Sequence, residues 1–128
     1  MRNISNRAMQ TYAQVNYDSA AEYGSSSDLL ILLLSGLTDS LIDAQRFLKE
    51  KKYSEKGAAS SKAQRILIAL RETLDFEVGG DLAINLDELY AYCLKRIAEG
   101  HARNDGASFS EVHGLLSGLR DAWLQASR

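Results

Sequence analysis

None of the 128 residues is proline. Proline ends helices and punctuates loops, so its absence beside long periodic apolar runs favours helices throughout. The clearest run is Leu30, Leu34, Leu37, Leu41, Ala44 and Leu48, with steps of 4-3-4-3-4. Such spacing keeps one side of a helix apolar and marks the seam of a bundle. It predicts a helix from about Asp28 to Glu50. The first two turns are also apolar on the other side, through Leu29, Ile31, Leu32 and Leu33. A helix end that is apolar all round is either fully buried or covered by something else.

Three further helices follow. The first spans about Ser54 to Leu74, with Ala59, Ala63, Ile66, Leu67, Leu70 and Leu74 inward. Its Ala/Ser-rich first half permits close helix approach. Gly79-Gly80 makes a turn, and the next helix runs from about Asp81 to Glu99, with Leu82, Leu86, Leu89, Tyr90, Cys93 and Ile97 on one side. Gly100 is placed as its C-cap, and Asn104-Asp105-Gly106 as a second turn. The last helix starts at Ser108, where Ser108-Phe109-Ser110-Glu111 fits a capping box, and carries the stripe Phe109, Val112, Leu116, Leu119, Trp123. Gly114 and Gly118 share a face of it and each cost about 1 kcal/mol relative to alanine, so close packing against a neighbour is the expected compensation. Residues 1–26 are polar, with Met9, Tyr12 and Val15 at helical spacing. The fold expected is all-α, an antiparallel up-down four-helix bundle over residues 27–128, with a short extra N-terminal helix within 1–26.

Composition narrows the function classes. The formal net charge is −2, and no basic face suited to nucleic acid is evident. A single cysteine, Cys93, permits no intrachain disulfide, and a reducing cytosol is the simplest compartment. The opening MRNISNRAMQTYAQ has no apolar signal region, and the longest apolar run, Leu29 to Leu34, is far short of a membrane span.

Catalytic and metal chemistry find little to use. A di-iron bundle needs inward glutamates and Glu-x-x-His motifs, which do not occur. Glu99 and His101 are two apart, as are Glu111 and His113, so neither pair shares a helix face. Both histidines are expected in solvent, and Cys93, on an apolar stripe, as a small buried hydrophobe. Gly79-Gly80 has neither the preceding strand nor the lysine of a phosphate loop. Asp75, Glu77 and Asp81 around that turn complement a helix dipole, as Arg46, Lys49, Lys51 and Lys52 do at a C-terminus. The expectation is therefore no enzyme, no metal and no cofactor, but a chain that binds something.

A set of ordered matches gives that expectation a direction. The chain carries Leu74-Asp75, Gly79-Gly80, Ala83-Ile84-Asn85-Leu86 and Leu89-Tyr90-Ala91-Tyr92, then Asn104-Asp105, Glu111-Val112 and Leu116 through Leu119-Arg120-Asp121-Ala122-Trp123. In order and spacing this resembles the flagellin export chaperones, the FliS family of flagellated bacteria, over nearly the whole chain. Tyr12 and Tyr17 match tyrosines the family carries before its first long helix. The family's Met-Leu-Tyr-Asp-Gly motif is Leu32-Leu33-Leu34-Ser35-Gly36 here, with the glycine kept and the tyrosine and aspartate absent.

The resemblance implies a non-enzymatic cytoplasmic chaperone that uses no ATP. Such a protein binds the disordered C-terminal segment of flagellin, prevents its premature polymerisation and delivers it to the flagellar type III export gate. The residues add surplus apolar surface suited to an amphipathic client helix. Leu29, Leu32 and Leu33 are placed off the seam of the first long helix, and Ile84, Tyr92 and Leu94 off that of the third. Client-contact candidates are thus Tyr12, Tyr17, Leu29, Leu32, Leu33, Ile84, Leu86 and Tyr92, while Tyr90 and Trp123 are placed in the core. The N-terminal segment is expected to act as a lid over part of the groove. A second reading of the same faces is a structural bundle that self-associates, as a homodimer, without a flagellin client.

Overall fold

The computed structural model describes residues 26–126. Within them the chain forms α1 (Ser26–Lys49), α2 (Tyr53–Glu72), α3 (Phe76–Arg103) and α4 (Gly106–Ala126). Each helix packs against its neighbours in sequence and α4 closes the ring against α1, while the backbones of the diagonal pairs stay apart. This is an all-α, up-down-up-down four-helix bundle, with connections of two or three residues that leave no alternative to antiparallel neighbours. The expected N-terminal helix lies outside the described residues.

The core is the seam read from sequence, widened. Leu34, Leu37 and Leu41 of α1 meet Ala63, Ile66, Leu67 and Leu70 of α2, Cys93 and Ile97 of α3, and Phe109, Val112 and Leu116 of α4. Each fully buried leucine contributes about 1.5–3 kcal/mol relative to exposure. Leu29 and Leu33, expected off the seam, belong to this core at 1% and 0% exposure. The reason is geometric: α1 packs against both α2 and α4, so its buried arc exceeds a single stripe.

Three helix boundaries differ from the expectation, each for a capping reason. Regular helix begins at Phe76 because the Asp75 carboxylate accepts from the amides of Glu77 and Val78. This first turn is then broken at Gly80, whose φ of 52° and ψ of −126° lie where side-chain-bearing residues rarely go. The body of α3 thus starts next to Asp81 after all. At the other end, Gly100 is buried mid-helix and Asn104, in the left-handed region, caps α3. A Cβ on Gly100 would sit 3.0 Å from that of Ser108 and 3.3 Å from the Phe109 ring, so glycine there lets α3 and α4 approach. The capping box at Ser108 does not form. Asp105 caps α4 instead, accepting from the Ala107 amide and the Ser108 hydroxyl, and Ser108 is buried.

Two of the polar ties between helices engage a buried side chain. Buried Lys56 reaches from α2 to the end of α3, donating to the His101 carbonyl at 2.9 Å and to the Asn104 side-chain oxygen. Arg120 of α4 donates to the buried Thr38 hydroxyl of α1 at 3.1 Å. Gly114 and Gly118 meet nothing: a Cβ at either would have no atom within 4 Å. The close packing expected of them is absent among the described residues, because both face outward on α4.

Candidate functional site: an apolar cavity at one end of the bundle

In an antiparallel bundle the start of α1, the end of α2, the start of α3 and the end of α4 share one end. There the helices part around a cavity of about 620 Å³. Leu30 and Leu34 come from α1, Thr73 and Leu74 from the end of α2, and Leu119, Ala122, Trp123 and Ala126 from α4. The α3 wall is Val78, Gly79, Leu82, Ala83, Leu86 and Tyr90. Small residues at Gly79, Ala83, Ala122 and Ala126 are what leave this volume unfilled.

The mouth is apolar and open to water. Of the lining residues, Val78 is 80% exposed and Leu82 61%. The Gly80 kink turns the Phe76–Gly79 turn away from the axis of α3, and Val78 borders the cavity largely uncovered by the described residues. Deeper in, Tyr90 is buried and burial pushes its phenol up to about 12, so it stays neutral at any physiological pH. Cys93, one turn further, is likewise pushed up to about 12 by burial, which leaves an inert thiol rather than a thiolate nucleophile.

The predicted contact residues do not converge on one surface. Leu86 is on the cavity wall and half-buried. Leu29 and Leu33 are in the core, and Leu32 is half-buried against it. Ile84 is 47% exposed but away from the cavity. Tyr92 is also away from it, on the α3–α4 face, where its hydroxyl donates to Glu111 at 2.6 Å. Arg96 donates to the other Glu111 oxygen at 2.7 Å. The hydrogen bonds from Tyr92 and Arg96 hold the Glu111 carboxyl below the usual range, and the bond to Glu111 raises the Tyr92 phenol. Tyr12 and Tyr17 lie outside the described residues. Sequence reasoning missed Leu30, Val78, Leu82, Leu119 and Trp123 as lining residues, of which Val78 and Leu82 are exposed and the others half-buried. For Leu30, Leu82 and Trp123 the signal was position: each is the terminal member of its stripe, at the end where the helices part.

No group of three His, Cys, Asp or Glu side chains among the described residues is placed to hold a metal ion. His101 is exposed, while His113 is half-buried with its Nε2 3.5 Å from the Ser117 hydroxyl. No described helix is long and apolar enough to cross a membrane.

What this site serves is narrowed by its relatives. The family model described as flagellar protein FliS matches residues 8–128. This chain belongs to the FliS family. The flagellar secretion chaperone FliS of Salmonella typhimurium is 40% identical over 120 residues, 93% of this chain and 89% of the relative. Flagellar secretion chaperone FliSB of Pseudomonas aeruginosa is 36% identical, over 91% and 93% of the two chains. FliS of Escherichia coli is 33% identical, over 94% and 89%. The FliS match begins at residue 8 and so includes Tyr12 and Tyr17, and its bundle part contains every wall of the cavity.

Proposed function

We propose that this FliS-family protein is a cytoplasmic flagellar export chaperone. It binds the disordered C-terminal segment of flagellin, keeps it from polymerising early and hands it to the type III export apparatus. It acts by binding alone. The observation that carries this reading is the end cavity with its apolar mouth, where Val78 and Leu82 stand exposed among the described residues. A monomeric bundle gains nothing from exposing these side chains, whereas an amphipathic helix folding into the groove buries them. Burying Val78 and Leu82 fully contributes about 1.5–3 kcal/mol each, which offsets part of the ordering entropy of a disordered client. Family membership supplies the flagellar setting.

The test is flagellin polymerisation in the presence of an equimolar amount of this protein. The expected result is suppression of filament growth, lost in Leu82→Asp, a change at an exposed position that leaves the core intact. Unchanged filament growth with folded wild-type protein sinks the reading. The lid expected of residues 1–26 is tested separately: deleting residues 1–18 should alter client affinity and raise ANS fluorescence. If neither changes, the segment is no lid.

A further inference from the structure

The groove is not electrically neutral at its edge. From Leu74 to Tyr90, the stretch that supplies the α3 wall of the cavity, the chain carries five carboxylates and no lysine or arginine, and of the five only Asp75 lines the cavity. Asp75 is also engaged in capping α3. Glu77 and Asp81 are exposed, form no ion pair among the described residues, and directly precede the exposed lining residues Val78 and Leu82. The nearby arginines are committed: Arg71 pairs with Asp87 at 2.8 Å, and Arg120 holds Thr38 and Asp121. Lys49, Lys51 and Lys52 lie at the far end of α1. Nineteen residues of helix separate Lys49 from Leu30, about 30 Å. That is several Debye lengths at physiological salt, so these cations do not neutralise the mouth.

From this distribution we infer that the groove selects a helical segment whose apolar stripe is bordered by lysine or arginine along the edge that meets the first turns of α3. The inference rests on the groove being a docking site and adds the chemistry of what docks. Apolar burial supplies affinity, while Glu77 and Asp81 fix the direction and register of the helix and reject segments bordered by acid.

The experiment uses the full chain and two synthetic amphipathic peptides of equal length with the same leucine stripe, one bordered by lysine and one by glutamate. Trp123, the sole tryptophan, stands on the cavity wall and reports binding by its fluorescence. The lysine-bordered peptide should bind at least about tenfold tighter at low salt, the summed effect of several exposed charge pairs. The preference should collapse near 1 M salt, where screening is nearly complete, and in Glu77→Gln/Asp81→Asn, whose helicity serves as the folding control. Equal binding, preference for the glutamate peptide, or binding of neither overturns the inference. Self-association relieved by the double variant would assign the edge to a second copy and overturns it too. If a flagellin segment fails to bind while the lysine preference holds, the flagellin assignment falls and the edge chemistry stands. If flagellin binds with no response to salt or to the double variant, the reverse is true.

Discussion

Lys51 closes α1 in a conformation that costs a lysine free energy. Its φ is 59°, and the amides of Lys51 and Lys52 turn back to the carbonyls of Leu48 and Phe47 at 3.0 and 2.8 Å. This is the position where glycine is preferred, because it has no Cβ to collide with the carbonyl. Lys51→Gly should therefore raise unfolding stability by about 0.5–1 kcal/mol, read as a higher denaturant midpoint at unchanged slope. Tyr90 and Cys93 set a limit at the other extreme of pH. Both are pushed up to about 12 in the folded protein, above the values near 10 and 8.5 expected of an unfolded chain. Groups raised on folding contribute stability that is complete below their unfolded pKa and is lost as pH rises through the folded one. Stability should thus fall from about pH 9 to about 12, and Tyr90→Phe should flatten that fall in urea titrations above pH 10. At this scale the burial of Cys93 and Tyr90 was legible, because both sit on an unbroken stripe. The hydrogen bond that occupies Tyr92 was not, because its partner Glu111 lies 19 residues away on another helix. Leu29 and Leu33 were misplaced because a stripe shows one neighbour, while α1 has two.

At the scale of elements the periodic runs located all four described helices, and the missing proline told correctly against interruptions. Boundaries were less legible, since competing caps stand only a few residues apart. Asp105 and Ser108 could each have started α4, and Asp105 prevails because its carboxylate reaches the Ala107 amide while Ser108 turns inward. Glycine stands in three different situations that sequence does not separate. Gly80 is required by its backbone angles and Gly100 by the approach of α4, whereas Gly114 and Gly118 face open space. Gly114→Ala/Gly118→Ala should accordingly stabilise the protein by about 1–2 kcal/mol through helix propensity alone. Gly80→Ala should do the opposite, costing about 1–3 kcal/mol, or straighten the first turn of α3. Thermal unfolding of the two variants beside the wild type separates these outcomes, because the shifts have opposite sign. Lys56 shows what element-level patterns hide: a lysine in a helix start reads as solvated, yet it ties α2 to the last turn of α3.

For the whole molecule, function follows from where the bundle is incomplete. Most of its core is filled by apolar side chains, chiefly leucine, isoleucine and phenylalanine, while the end bounded by Leu30, Leu82, Leu119 and Trp123 holds a cavity. Sequence reasoning foresaw surplus apolar surface but placed it along the flanks of two helices. Its concentration at one end depends on how four helix termini come together, which no single stripe encodes. In the proposed docking, Val78 and Leu82 supply affinity, and the exposed Glu77 and Asp81 beside them supply selectivity. A self-associating bundle would use these apolar side chains equally well, and the two readings part on what saturates the groove. The decisive measurement is calorimetric titration of the full chain with the C-terminal segment of flagellin from the same organism, run at several temperatures beside Leu82→Asp. Saturable one-to-one binding with a negative heat-capacity change, weakened at least about tenfold in the variant, is the predicted result. A folded protein that gives no heat with the flagellin segment, or binds it equally well with aspartate at position 82, would contradict the account.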